Sequence, residues 1–233
     1  PLAAKGRALF AENCAGCHVP RQTQEGERWV QHLHMLPVDV IGTDPTAANN
    51  IASHRYDLTA LQWDLKELET LDVKLHPTPK EPLDLSQLSV AKGLAYVTAF
   101  VEDRAYREAN VTPQEKPRLD GFGLPIGVRE KVAYKARPLA GIWATAPFLH
   151  NGSVPTLWDL LQAPEKRPQV FITGSDIYDP VNVGFVTRGA QAKASADFKY
   201  DTRLEGNHNS GHLYGTTLSD DDKRALIEFM KTL

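Results

Sequence analysis

Cys14-Ala-Gly-Cys17-His18 decides how the rest of this chain is read. It is a C-x-x-C-H, the pattern by which a c-type haem is attached covalently. On a helical turn, positions 14, 17 and 18 are i, i+3 and i+4, so the three side chains leave from one face. The two thiols can then add to the vinyl groups of one porphyrin while His18 meets the iron as proximal ligand. A thioredoxin-like redox pair would sit beside a βαβ pattern, and a structural zinc site would require further sulfur ligands. The chain has two cysteines in all, and both lie in this motif. No disulfide is therefore expected. One covalent c-type haem is expected, and because that attachment is made outside the bacterial cytoplasm, so is a periplasmic or secreted location.

Outward from the motif, Leu2, Gly6, Leu9 and Phe10 share one face of an expected amphipathic helix, with Gly6 allowing close approach of a second helix. At the other end, Ser219 and Asp222 form the start of a capping box, and Asp220 and Asp221 favour the positive end of the helix dipole. Leu226, Phe229, Met230 and Leu233 then recur at i, i+3, i+4 and i+7. Two helices crossing at Gly6, Phe10, Leu226 and Phe229 would resemble the terminal helix pair of cytochrome c folds. The expectation is a mostly α, cytochrome c-like helical haem domain spanning 1–233. Helical elements are expected near 2–18, 58–71, 86–110, 156–162 and 219–231. Long irregular loops, with room for a short β-hairpin, are expected over 112–138 and 164–215, where many of the 16 glycines and 16 prolines fall.

Composition narrows the function class. Of 233 residues, 42% are hydrophobic and 24% charged, ordinary values for a globular protein with a sizeable core. A net charge of −3 and the lack of a basic run argue against nucleic acid. No apolar stretch reaches the roughly 18 residues of a membrane span. The start at Pro1 fits a processed protein or a fragment. Gly121-Phe-Gly-Leu-Pro-Ile-Gly127 has the wrong spacing for a phosphate loop and reads as a turn.

The second axial ligand decides what such a haem does. A sixth ligand from Met or His closes the iron for electron transfer, whereas an open position admits oxygen or peroxide. Met230 lies on the apolar face of the last helix and reads as core. Met35, His150 and His208 are alternative distal ligands. His32 and His34 stand two apart and would diverge on a helix. His54 and His76 read as surface residues. His212 stands out because glycines around it permit a tight loop and the last, haem-proximal helix follows shortly.

Arg137-Pro-Leu-Ala-Gly-Ile-Trp143-Ala-Thr-Ala-Pro-Phe148-Leu-His150-Asn-Gly-Ser resembles the T-A-P-aromatic-x-H-(D/N)-G-S segment of the second haem domain of bacterial dihaem cytochrome c peroxidases and their methylamine-maturation relatives. Ile41-Gly-Thr-Asp44-Pro-Thr-Ala, Tyr178-Asp179-Pro180 with Val183-Gly184, and Gly206-Asn-His208-Asn-Ser-Gly-His212-Leu-Tyr-Gly make it similar to rubber-oxygenase-like dihaem cytochromes. That resemblance implies a bis-histidine haem with His18 proximal and His212 distal. It also implies Arg137 at a haem propionate, His150 near the haem, and Trp143 and Phe148 as pocket walls. Trp143 would be a candidate electron-transfer aromatic, although Trp143 and Trp158 read equally well as large core side chains. These families carry two C-x-x-C-H motifs and this chain has one. The expected function is one-electron transfer by an exported monohaem domain, with a redox partner protein or an adjoining haem or catalytic domain. The alternatives are a haem peroxidase or dioxygenase with an open distal site, the electron-transfer part of a larger dihaem enzyme, or a redox-sensing module.

Overall fold

The computed structural model describes residues 1–26, 28–61, 84–119, 132–195 and 198–233. His76, the Gly121–Gly127 turn and most of the helix expected at 58–71 lie outside them. In chain order the elements are α1 (Leu2–Asn13), α2 (Ala15–His18), β1 (Arg21–Glu25), β2 (Arg28–His32), β3 (His34–Pro37), α3 (Val38–Ile41), α4 (Thr46–Ser53) and β4 (Arg55–Tyr56). A 3₁₀ turn at Thr59–Leu61, β5 (Leu88–Ser89), α5 (Val90–Glu108), α6 (Lys116–Leu119) and β6 (Ala133–Ala136) follow. The last part comprises α7 (Leu157–Leu160), β7 (Val170–Thr173), β8 (Tyr178–Asp179), β9 (Gly184–Phe185), α8 (Gly189–Ser195), β10 (Phe198–Asp201) and α9 (Asp220–Met230).

The chain divides into two compact units, residues 1–47 with 133–233, and residues 48–132. In the first, α1 and α9 cross as the periodicity requires. A Cβ added to Gly6 would lie 2.0 Å from the Ala225 carbonyl oxygen, so only glycine permits this approach. Phe10 and Phe229 meet with ring centres 5.3 Å apart beside the crossing. Phe148, Val154, Leu157, Leu161, Leu226, Ile227 and Met230 complete the core around them. Met230 is thus a core residue. The α9 cap forms as read: Ser219 Oγ accepts from the Asp222 amide, and Lys5 pairs with Asp222 across the two helices. The second unit has a smaller core of Leu88 and Tyr96 with Leu58 and Leu85, and Ser89 caps the long helix α5.

The mostly helical expectation holds only roughly. Five two-stranded antiparallel sheets occur among the described residues, pairing β1 with β2, β3 with β6, β4 with β5, β7 with β10 and β8 with β9. The stretch 164–215 is therefore not one irregular loop, and 112–138 contains α6 and the strand β6. Glycine and proline set the turns, but short runs such as Val170-Phe171-Ile172-Thr173 have the β-branched and aromatic content that pairs well. The first helix is also interrupted: Cys14 leaves helical geometry at φ −126°, separating α1 from the turn that carries Cys17 and His18.

Because Gly6 faces backbone rather than a movable side chain, Gly6→Ala should destabilise the fold by about 1–3 kcal/mol. Thermal unfolding of the haem-loaded protein should show a Tm several degrees lower. An unchanged Tm would mean that the helices can part at no cost.

Candidate haem site

His18 ends α2, one helical turn after Cys14. Its Nδ1 lies 2.7 Å from the Arg137 backbone carbonyl. A carbonyl can only accept, so Nδ1 carries the proton and Nε2 is left with its lone pair, as an iron ligand needs. The strand β6 ends at Ala136, directly before Arg137, and its pairing with β3 aims that carbonyl. Arg137 therefore reaches His18 through its main chain, while its side chain is exposed.

The His212 ring faces His18, with ring centres 6.3 Å apart and planes inclined by 55°. A metal–imidazole bond of about 2 Å places each ring centre about 3 Å from a shared metal, or about 6 Å between centres on opposite sides. The separation fits one iron between the two rings. Burial, then the neighbouring His18 and the Arg167 cation, push the His212 imidazole down to about 4, so it is neutral at neutral pH. Its Nδ1 is buried with no hydrogen-bond partner among the described residues. An imidazole buried with a bare nitrogen costs about 1–3 kcal/mol. An iron held on this ring would offset that cost. The residues thus fit a haem held between His18 and His212.

A strap made by two distant stretches holds His212. Its amide donates to the Ile41 carbonyl at 3.0 Å, and Ser210 Oγ donates to the Gly42 carbonyl at 3.2 Å. Gly211, at φ 73°, lies so close that a Cβ there would come within 2.3 Å of the Gly42 carbonyl carbon. At the end of the strap, Asp44 receives the His208 amide at 3.1 Å and the His208 ring Nδ1 at 2.6 Å. Tyr134 Oη donates to the Asp44 carbonyl. Asp44 is only 1% exposed. Burial alone would raise its carboxyl, but hydrogen bonds from Thr46 and His208 outweigh it and hold the group at about 2.

The other candidates stand in different surroundings. The His208 side chain is 47% exposed and tied to Asp44. His150 stacks on Tyr134 with ring centres 3.9 Å apart. Met35 sits on β3 opposite Lys135, and the His32 ring nitrogen Nε2 pairs with the Thr23 hydroxyl. No cluster of three or more His, Cys, Asp or Glu capable of holding a metal occurs among the described residues. Phe148 is buried in the core, whereas Trp143 is 45% exposed and its carbonyl accepts from the Tyr178 hydroxyl. Burial, with Cys17 alongside, pushes the Cys14 thiol up to about 11. Sequence reading missed the Arg137 carbonyl and the Asp44–His208 pair. The only signal for the latter was that both lie in the stretches that carried the resemblance.

Two family models match the chain: "Cytochrome c" over residues 3–102 and "RoxA-like, cytochrome c-like" over residues 133–172. Both matches are to cytochrome c-like families and are consistent with a rubber-oxygenase-like cytochrome c superfamily. This cytochrome therefore carries a covalently bound c-type haem, and electron transfer is the chemistry of its kind. It is also similar to two uncharacterised proteins of Sinorhizobium fredii. It is 34% identical to y4iJ over 256 residues, covering all of this chain and 39% of that protein. It is 29% identical to y4iM over 215 residues, covering 90% of this chain and 40% of that protein. The chain thus spans about two fifths of the length of these relatives. No helix among the described residues is long and apolar enough to cross a membrane.

The Asp44 carboxyl lies below the unfolded value of about 3.9, so its ionised form stabilises the fold above about pH 4 and that contribution disappears as pH falls towards 2. The amount at stake is on the order of 2 kcal/mol. Denaturation across this range should show a shallower acid limb for Asp44→Asn than for the parent protein. Parallel curves would contradict the assignment.

Proposed function

We propose that this chain is an exported cytochrome domain that passes single electrons through a six-coordinate, bis-histidine haem. The haem is joined through Cys14 and Cys17, with His18 proximal and His212 distal. The bound haem supplies one electron site that alternates between ferric and ferrous iron. The observation that carries this reading is the 6.3 Å separation of the two imidazole ring centres, with planes inclined by 55°.

In this reading each residue has a defined task. The Arg137 carbonyl fixes the His18 tautomer. The strap keeps the neutral His212 ring in the sixth position, which excludes oxygen, peroxide and water from the iron. Paired imidazoles favour a lower potential than a His/Met pair would. The Arg137 side chain, exposed beside the site, is suited to a propionate through charge-assisted hydrogen bonds. Trp143 at 45% exposure offers an aromatic edge towards a redox partner, and such encounters bury little surface. The length of the relatives favours an adjoining haem or catalytic domain as that partner, with this domain feeding or draining it.

Optical spectra of the ferric and dithionite-reduced protein should be low-spin in both states and should not change under carbon monoxide. His212→Ala should give a high-spin ferric spectrum and a ferrous haem that binds the gas on mixing. A His212→Ala protein with an unaltered low-spin spectrum would remove His212 from the iron. A parent protein that binds the gas readily would point instead to an oxygenase or peroxidase with an open site.

A further inference from the structure

Arg167 stands in Pro164-Glu-Lys-Arg-Pro168, a stretch whose composition is that of a solvated surface turn. The residue is instead only 3% exposed. Its guanidinium donates to five backbone carbonyls: Nε to Gln162 at 3.0 Å, Nη1 to Asn209 at 2.5 Å and to Gly211 at 2.9 Å, Nη2 to Leu160 at 3.1 Å and to His212 at 3.2 Å. Among the described residues no carboxylate lies within ion-pair distance of it. Two of the acceptors, Leu160 and Gln162, belong to α7 and the turn after it, packed on the core. The other three belong to the stretch that carries His212.

Burying a cation without a carboxylate is expensive unless every donor is satisfied. Here the planar fork of arginine is used in full, with hydrogen bonds of the stronger, charge-assisted kind. The stretch being held is itself strained. His212 has φ 48°, in the left-handed region, which costs a non-glycine residue about 1–3 kcal/mol. That conformation persists only if its surroundings enforce it. The strap to Ile41–Asp44 grips the stretch through the amides of His208 and His212, the Ser210 hydroxyl and the His208 ring, and Arg167 grips it through its carbonyls. No other side chain among the described residues reaches the carbonyls of both Gly211 and His212.

We propose that Arg167 is the positioning residue of the distal ligand: by gathering the carbonyls of residues 209, 211 and 212 against those of 160 and 162, it holds His212 on the haem iron and keeps the sixth position closed. Lysine cannot replace it, since an ammonium has three donors and no planar fork. This inference rests on His212 being the distal ligand.

The test uses the haem-loaded protein with Arg167→Gln, Arg167→Lys and His212→Ala, compared by far-UV circular dichroism, ferric spin state and carbon monoxide binding to the ferrous form. Both Arg167 variants should retain haem and helix content but show a mixed-spin ferric spectrum. They should bind the gas under conditions that leave the parent unchanged, with the population of opened haem raised at least about tenfold, the factor expected from losing one charge-assisted hydrogen bond's worth of restraint. Added imidazole should restore the low-spin spectrum. Variants that lose only thermal stability, while staying low-spin and inert to the gas, would make Arg167 a brace of the fold and overturn the proposal. If Arg167→Gln yields no haem-loaded protein, Arg167→Lys decides, and loss of both overturns the proposal too. A low-spin His212→Ala would end the bis-histidine reading itself. A high-spin His212→Ala alongside parent-like Arg167 variants would end only this one.

Discussion

The haem-bearing unit sets the His18 and His212 rings 6.3 Å apart, centre to centre, from segments almost two hundred residues apart, and the proposed electron transfer depends on that separation. His18 comes from the turn after α1, and its ring is oriented by the carbonyl of Arg137, more than a hundred residues away. His212 comes from the connection before α9 and is fixed by contacts to residues 41–44 and to Arg167. The α1–α9 crossing lies next in the chain to both segments, His18 just after α1 and His212 shortly before α9. A ligand pair set this way needs little rearrangement when the iron changes charge, which suits electron transfer.

Main chain and side chains together fix the segment around His212. The His212 segment is held by amides and carbonyls: its own amide to Ile41, its own carbonyl to Arg167, and the glycine-to-glycine approach of Gly211 on Gly42. Buried polar groups are stabilising only when satisfied, and the two buried charges near this segment meet that condition differently. Asp44 collects donors from Thr46 and His208, whereas Arg167 collects acceptors. These ties hold His212 in its left-handed conformation.

These different kinds of interaction explain how much was legible in the sequence. The C-x-x-C-H spacing, the Gly6 approach and the α9 capping box depend on residue identities at short range, so they could be read directly. His212 could be favoured from its glycines and from resemblance. The strap could not be read, because a hydrogen bond between main chains leaves no residue-type signature. Arg167 was hidden for a related reason: a Lys-Arg pair between prolines looks like solvent-facing charge until the carbonyls around it are known. The paired strands between positions 164 and 215 were masked by the glycines and prolines that turn between them. Arg137 was singled out for its side chain, and the contact of its main-chain carbonyl with His18 was not foreseen.

The chain matches proteins more than twice its length, which is why an adjoining domain is proposed as the source or destination of its electrons. What this domain contributes to any such assembly depends on whether its iron is closed. Near-infrared magnetic circular dichroism of the ferric protein identifies the axial pair directly. The account predicts the charge-transfer band of two neutral imidazoles and no high-spin component. A band characteristic of His/Met ligation, or a high-spin signal from a water-bound iron, would contradict it.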